Sequence, residues 1–527
     1  MARNPLFGLK RVFFDRIFER SFWIWRKHPT IIIPTILGLA LFLIESSIVY
    51  LTIMTLETFW ALTGSLSGIL TQYHSSGLNG LLQDPASSLT FIPIFVILAV
   101  ALVLVGVIGG GYVYSCEYGI YLEAWNNETV PVRSILVNGS RKWKAMARTF
   151  LLSNLITWGP AAVGLALVLG SILSLNLVVF LGSLYVLGPL FIVSMILSIF
   201  TIYSYPAVVV DQLSGLSAIR QSFRVASHHL GITFTYSVIQ AISLGLLFLI
   251  LSLGSALGLP LTSIVEVILI FVFIPILHLT KTMIYYHANP SVPEMSFRLS
   301  DPIWRDVFSK LPRSAWTRIK TGMSEGVGFV LGPRNFPFHA ASVGAFALGI
   351  YLGYYVSISG WASYALSFGA QPGRGNPVIN RVFLPFLGID IFLHNWVTSF
   401  ATTLAGFGFG APSFVAILYT GFTLGQIAVP QLSPSLTMFL AIILPHGIIE
   451  IPSFLISGSV GIRLGYAVLK AKFRPGLGSD NYLSKTLRVA VYVVVGLVPL
   501  FLVAGLIEAD LTPIIARMFG WTFPQTP

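Results

Sequence analysis

Eleven apolar runs divide this chain, each close to the length a helix needs to cross a bilayer. They fall at 31–56, 89–115, 150–173, 178–208, 231–254, 260–284, 337–358, 386–407, 412–431, 437–459 and 487–508. A helix rises about 1.5 Å per residue, so roughly 20 apolar residues cover the hydrocarbon core. No water is available there to bond exposed backbone groups, and a helix bonds them internally. The runs therefore predict an all-α polytopic integral membrane protein. About 11 transmembrane helices are expected, six and then five, with amphipathic helices at the interface. Composition agrees: 55% of the 527 residues are hydrophobic and 9% charged. A soluble chain carries about 25% charged residues.

The charge pattern gives an orientation. Loops on the cytoplasmic side collect Lys and Arg. With residue 1 inside, 28 of the 31 Lys and Arg residues fall in inside segments, and only Arg374, Arg381 and Arg517 fall outside. The loop 57–88 has neither. The expected location is thus the plasma membrane, with the N-terminus cytoplasmic and the C-terminus external. The net charge of +12 is explained by this bias and by attraction to anionic lipid. Nucleic acid is not an expected partner. Seven basic residues precede the first run, a pattern unlike a cleaved signal. That run, Ile31 to Leu56, is expected to be a retained helix.

The single cysteine, Cys116, sits in an apolar run and allows neither an internal disulfide nor a thiolate metal cage. The sequons at Asn127 and Asn138 fall in an inside loop and are expected to stay unglycosylated.

Three domains are expected. Residues 1–286 form a six-span membrane domain. Its basic segments Arg20–His28, Arg133–Arg141 and Gln221–His229 each precede an apolar run. They suggest three elbow–span–span repeats, about 5–122, 131–208 and 213–286. The alternative is that any interfacial helix before a span looks this way. Residues 287–336, with Pro290, Pro293, Pro302, Pro312 and Pro333, form a cytoplasmic linker. Within it, Trp304 to Met323 reads as an amphipathic helix lying on the inner leaflet. Residues 337–527 form a five-span domain.

Ionisable residues within spans are costly and are functional candidates by default. Glu45, Glu266, His446, Glu450 and Glu508 are the ones to weigh. In Pro445-His-Gly-Ile-Ile-Glu-Ile-Pro452 the i,i+4 spacing puts His446 and Glu450 on one helix face. The two prolines predict a loosened, broken helix. Such a pair can relay a proton, hold a cation or polarise a substrate. It can equally be structural, with Glu450 hydrogen-bonded to a neighbouring helix. The zinc-protease pattern His-Glu-x-x-His is absent, as are nucleotide-binding and Ser-His-Asp patterns. No catalytic, cofactor-binding or metal residues are expected, and no cofactor. Gly406 to Gly410 reads as a tight turn, and Gly421 with Gly425 as a close helix-packing surface.

About residues 337–515 resemble the stage II sporulation protein M (SpoIIM) family. The resemblance rests on Asn395, the glycines at 406–410, Thr420-Gly-Phe-Thr-Leu-Gly425 and Pro445-His-Gly-Ile-Ile-Glu450. It continues with Ser457-Gly-Ser-Val-Gly461 and Ala504-Gly-Leu-Ile-Glu508. Asn-Gly is common in the family where this chain has Thr420-Gly421. The resemblance implies a five-span module. It also implies a scaffold, since the family's founder works with two peptidoglycan-degrading partners during engulfment in spore formers. His446, Glu450, Asn395 and Glu508 are the candidate intramembrane polar site. The expected function is a non-enzymatic scaffold or assembly factor in envelope organisation. Its expected partners are membrane lipids and envelope proteins, with homo-oligomerisation left open. The alternative is a transporter or channel for an ion or small solute that uses His446 and Glu450. An intramembrane enzyme acting on lipid is a weaker third reading.

Overall fold

A computed structural model describes residues 11–66, 68–69, 72, 85–126, 130, 132–173, 177–256, 262–288, 311–361, 384–429, 435–473 and 479–519. Among the described residues there is no strand, and the helices follow the apolar runs. In chain order they are α1 (Arg11–Lys27), α2 (Ile33–Leu62), α3 (Pro85–Asn126), α4 (Val132–Leu173), α5 (Leu177–Thr201) and α6 (Ser204–Val210). Next come α7 (Leu216–His228), α8 (Leu230–Ala256), α9 (Thr262–Ile268), α10 (Ile274–Ala288), α11 (Leu311–Leu331) and α12 (Phe336–Val356). The last are α13 (Leu384–Leu404), α14 (Ala411–Ile427), α15 (Leu436–Phe473), α16 (Ser479–Gly496), α17 (Val498–Leu506) and α18 (Thr512–Met518). Nine helical segments among the described residues are long and apolar enough to cross a membrane, and α14 is a shorter apolar helix. The expected run at 386–407 corresponds to α13, which carries Asp390, His394 and Asn395 and is not among the nine. The protein is an all-helical, multi-pass membrane protein.

The chain divides into two compact units. Unit 1 comprises Met1–Gly38, Val103–Leu249 and Val267–Asp301; unit 2 comprises Leu39–Leu102, Ile250–Glu266 and Pro302–Pro527.

In unit 1 the amphipathic helices α1 and α7 are separate from the spans that follow, because His28-Pro29 and His228-His229 interrupt the helix. The middle basic segment behaves differently. It runs without a break into its span as the single 42-residue helix α4. Polar side chains tie the elements together. Trp25 donates from its indole to the Phe271 carbonyl at 3.1 Å, and the Tyr236 hydroxyl donates to the Leu277 carbonyl at 2.9 Å. The Thr157 and Thr201 hydroxyls bond at 2.8 Å between α4 and α5.

In unit 2 small residues let backbones touch. Cβ atoms added at Gly349 and Gly353 of α12 would collide with the backbone of Leu418 and Phe422 on α14. Gly421 and Gly425 of α14 meet Phe346 and Ile350 of α12 in return. The predicted packing surface is thus a reciprocal four-glycine seam, and close approach of this kind is a main attraction between helices in lipid. Around it pack Met54, Ala345, Ile417 and Phe422. The turn at 405–410 joins α13 to α14, with Gly410 in the left-handed region at φ 82° ahead of Pro412.

Two expectations change. The helix over 436–473 is continuous through Pro445 and Pro452, so it is not broken. Each proline removes one N–H, which frees the carbonyl four residues earlier without ending the helix. The amphipathic helix is α11, and the earlier part of the expected segment, including Trp304, lies outside the described residues. One face of α11 is not on lipid: Gly322 is buried against the backbone of Tyr492 and Gly496 on α16. Trp316, Arg318 and Lys320 lie on its exposed side, with the Lys320 ammonium 5.3 Å from the Trp316 ring centre.

Candidate functional site

The candidate residues occupy three segments of unit 2. His446 and Glu450 stand one turn apart on α15, as their spacing requires. Glu508 comes from the π-helical turn Ile507–Leu511 between α17 and α18. A π turn inserts one residue into the helical ladder and re-aims its side chains, and such turns are frequent at functional sites. One ligand-capable atom from each of His446, Glu450 and Glu508 lies within 4.8 Å of the others. His446 Nδ1 also lies 3.2 Å from the Thr512 hydroxyl on α18. Glu450 Oε2 is buried and, among the described residues, has no hydrogen-bond partner.

Asn395 joins from α13 through a cavity of about 190 Å³. Asn395, Thr398, Thr420 and Glu450 give it polar walls, and Phe346, Ile451, Phe454 and Leu455 the apolar ones. Thr420, where the family often has Asn, therefore faces the same space as Glu450. The structure thus gathers His446, Glu450 and Glu508 into one cluster and places Asn395 across a cavity from Glu450. Gly421 and Gly425 pack helices. Glu45 is half-buried and Glu266 exposed, and neither joins the cluster.

Two carboxylates and an imidazole at this separation can share a proton or hold a cation.

Sequence reasoning missed a second polar centre, in unit 1. Glu117 on α3 is buried and accepts from the Tyr121 hydroxyl at 2.8 Å, while His278 Nδ1 of α10 lies 2.6 Å from the same carboxylate oxygen. The signal was present but truncated. Glu117 falls just past the apolar run ending at 115, whereas the span continues to Trp125.

The fold and cluster define a class: a multi-pass helical membrane protein with a polar cluster inside its C-terminal unit. Within that class, residues 342–513 match the family model of stage II sporulation protein M. The match covers about a third of the chain. Similarity to known proteins extends to an uncharacterised protein of Methanocaldococcus jannaschii, 29% identical over 133 residues that make up 24% of this chain and 71% of the relative. A second uncharacterised protein of the same organism is 25% identical over 134 residues, or 25% of this chain and 59% of that relative. No solved structure matches the chain.

Proposed function

We propose that this protein is a non-enzymatic scaffold that organises envelope proteins from the plasma membrane, with its N-terminus cytoplasmic and its C-terminus external. One observation carries the reading. The residues that carry the family resemblance are used largely for packing: Gly421 and Gly425 in the seam with α12, Ser457 in hydrogen bonds to α13, and Gly461 against Ser413 and Thr402. A rigid bundle of this kind suits a platform better than a reaction centre. Envelope proteins and membrane lipids are its partners, and self-association fits the same role. Affinity purification of the full chain from native membranes tests this. A reproducible set of envelope proteins, absent from an unrelated multi-pass control, is the expected result. Recovery of no stable protein partner overturns it.

A second reading is favoured by the cluster of His446, Glu450 and Glu508 beside the cavity. In it the protein moves a cation or proton, with Glu450 as the group that binds it. Ion flux into proteoliposomes decides: wild type should exceed Glu450→Gln, and equal background flux in both removes the reading.

A further inference from the structure

The polar cluster of unit 2 is made of groups that metal ions bind. His446 offers an imidazole, and Glu450 and Glu508 offer carboxylates. One ligand atom from each lies within 4.8 Å of the other two. A cation at the centre of three atoms so spaced stands at most about 2.8 Å from each, and zinc bonds to nitrogen and oxygen are about 2.0–2.2 Å long. Side-chain shifts of under about 1 Å therefore close the set on an ion.

Three further observations point to a cation rather than to packing alone. Glu450 Oε2 is a buried acceptor left over, with no donor among the described residues. Two carboxylates stand together here, and among the described residues no lysine or arginine forms an ion pair with either. Like charges brought together away from water need a proton or a cation between them. The imidazole, finally, is oriented as a ligand is. Its Nδ1 lies 3.2 Å from the Thr512 hydroxyl. An Nδ1–H donated to that oxygen leaves the lone pair on Nε2, and metal-bound histidines are held by such an outer bond.

We propose that His446, Glu450 and Glu508 bind one divalent transition-metal ion, zinc. An imidazole with two carboxylates suits zinc better than magnesium or calcium, whose ligands are oxygens, and the set has no thiolate to hold a softer ion. Thr512 is a positioning residue, acting through the His446 ring. Three protein ligands leave a fourth position open on the ion. Glu450 also lines the cavity of about 190 Å³, and Asn395, Thr398 and Thr420 on its polar wall can hydrogen-bond a water there. Glu450 as a cation ligand is shared with the second reading above, on which the assignment of zinc rests, but binding and flux are separate measurements. Zinc bound without flux removes the transport reading alone, and proton flux without bound zinc removes this site alone.

The test is a zinc titration of the full chain, purified in neutral detergent on a histidine-free tag and stripped with a chelator. Competition with a chromophoric chelator should show one tight zinc per chain, which excess magnesium or calcium does not displace. His446→Ala, Glu450→Gln and Glu508→Gln should each weaken binding at least tenfold. Thr512→Val should weaken it about tenfold, the usual cost of losing an outer-shell bond. His228→Ala, at an exposed position in unit 1, should bind like wild type. A wild type that binds no zinc, ready displacement by calcium, or a Glu450→Gln protein that binds like wild type overturns the proposal. Should the variants fail to fold, zinc X-ray absorption of the wild type decides. One imidazole with oxygen ligands supports the site, and several imidazoles, or none, overturn it.

Discussion

The backbone of Gly421 lies directly on that of Phe346: a Cβ added at Gly421 would stand 3.1 Å from the Phe346 Cα and nearer still to its carbonyl oxygen. Neither side of this contact is a flexible side chain, so the helices α12 and α14 would have to separate. Gly421→Ala is therefore expected to destabilise the protein by about 1–3 kcal/mol, the usual cost of overpacking. Gly344, on the same helix as Phe346, has open space where its Cβ would be. Gly344→Ala should be neutral or slightly stabilising, because alanine favours helix by about 1 kcal/mol over glycine. Melting of both variants in one detergent checks the pair. Equal melting temperatures would mean that the seam is not a close backbone contact.

Glu117 and His278 join α3 to α10 across unit 1. Removing one member of a hydrogen-bonded pair that includes a buried carboxylate leaves the other without its partner, at about 1–3 kcal/mol or more. Glu117→Ala and His278→Ala should each cause a large loss of melting temperature or of folded protein. The double variant Glu117→Met, His278→Leu should recover much of it, since apolar replacement of both partners is often near neutral. Additive losses in the double variant would show that the two residues do not act as a pair.

Hydroxyl contacts in unit 2 should matter less. Ser457 on α15 bonds the Ser399 hydroxyl on α13, and Thr403 of α13 donates to the Ser457 carbonyl at 3.0 Å. Interhelical hydrogen bonds in membranes average about 0.6 kcal/mol, because partners are also found in the unfolded, inserted state. Ser457→Ala should therefore cost under half of what Gly421→Ala costs in the same melting assay. A larger loss at Ser457 would make polar contacts, rather than close approach, the principal attraction between these helices.

These contrasts explain what the sequence made legible. Run length and charge bias act one segment at a time, so the helices and the glycine surface at Gly421 and Gly425 were readable. The i,i+4 pairing of His446 with Glu450 was readable for the same reason. The partners were not. Gly349 and Gly353 lie about 70 residues before Gly421, and only the fold sets them against it. Glu508 reaches the cluster because a π turn re-aims it, and no pattern of residue types announced that turn. The continuity of α15 through two prolines also went against local propensity, since packing on neighbouring helices can hold a helix together where a carbonyl has lost its donor. Glu117 escaped because a hydropathy run ends at the first charge, whereas a buried charge with partners can sit well inside a span.

The orientation can be checked with the chain's own cysteine as the blank. Cys116 is fully buried, packed where the Gly139 backbone leaves no room for a side chain. A membrane-impermeant maleimide should therefore leave the native protein unlabelled on both sides of the membrane, and label it only after denaturation. Against that silent background, Ser140→Cys and Arg517→Cys each add one thiol at an exposed position. The Lys and Arg bias places 140 inside and 517 outside. In right-side-out vesicles Arg517→Cys should label at once, and Ser140→Cys only after the membrane is permeabilised. The reverse pattern would invert the protein. Labelling of both from outside would mean that the number of crossings between them is even, one more or one fewer than the nine expected there.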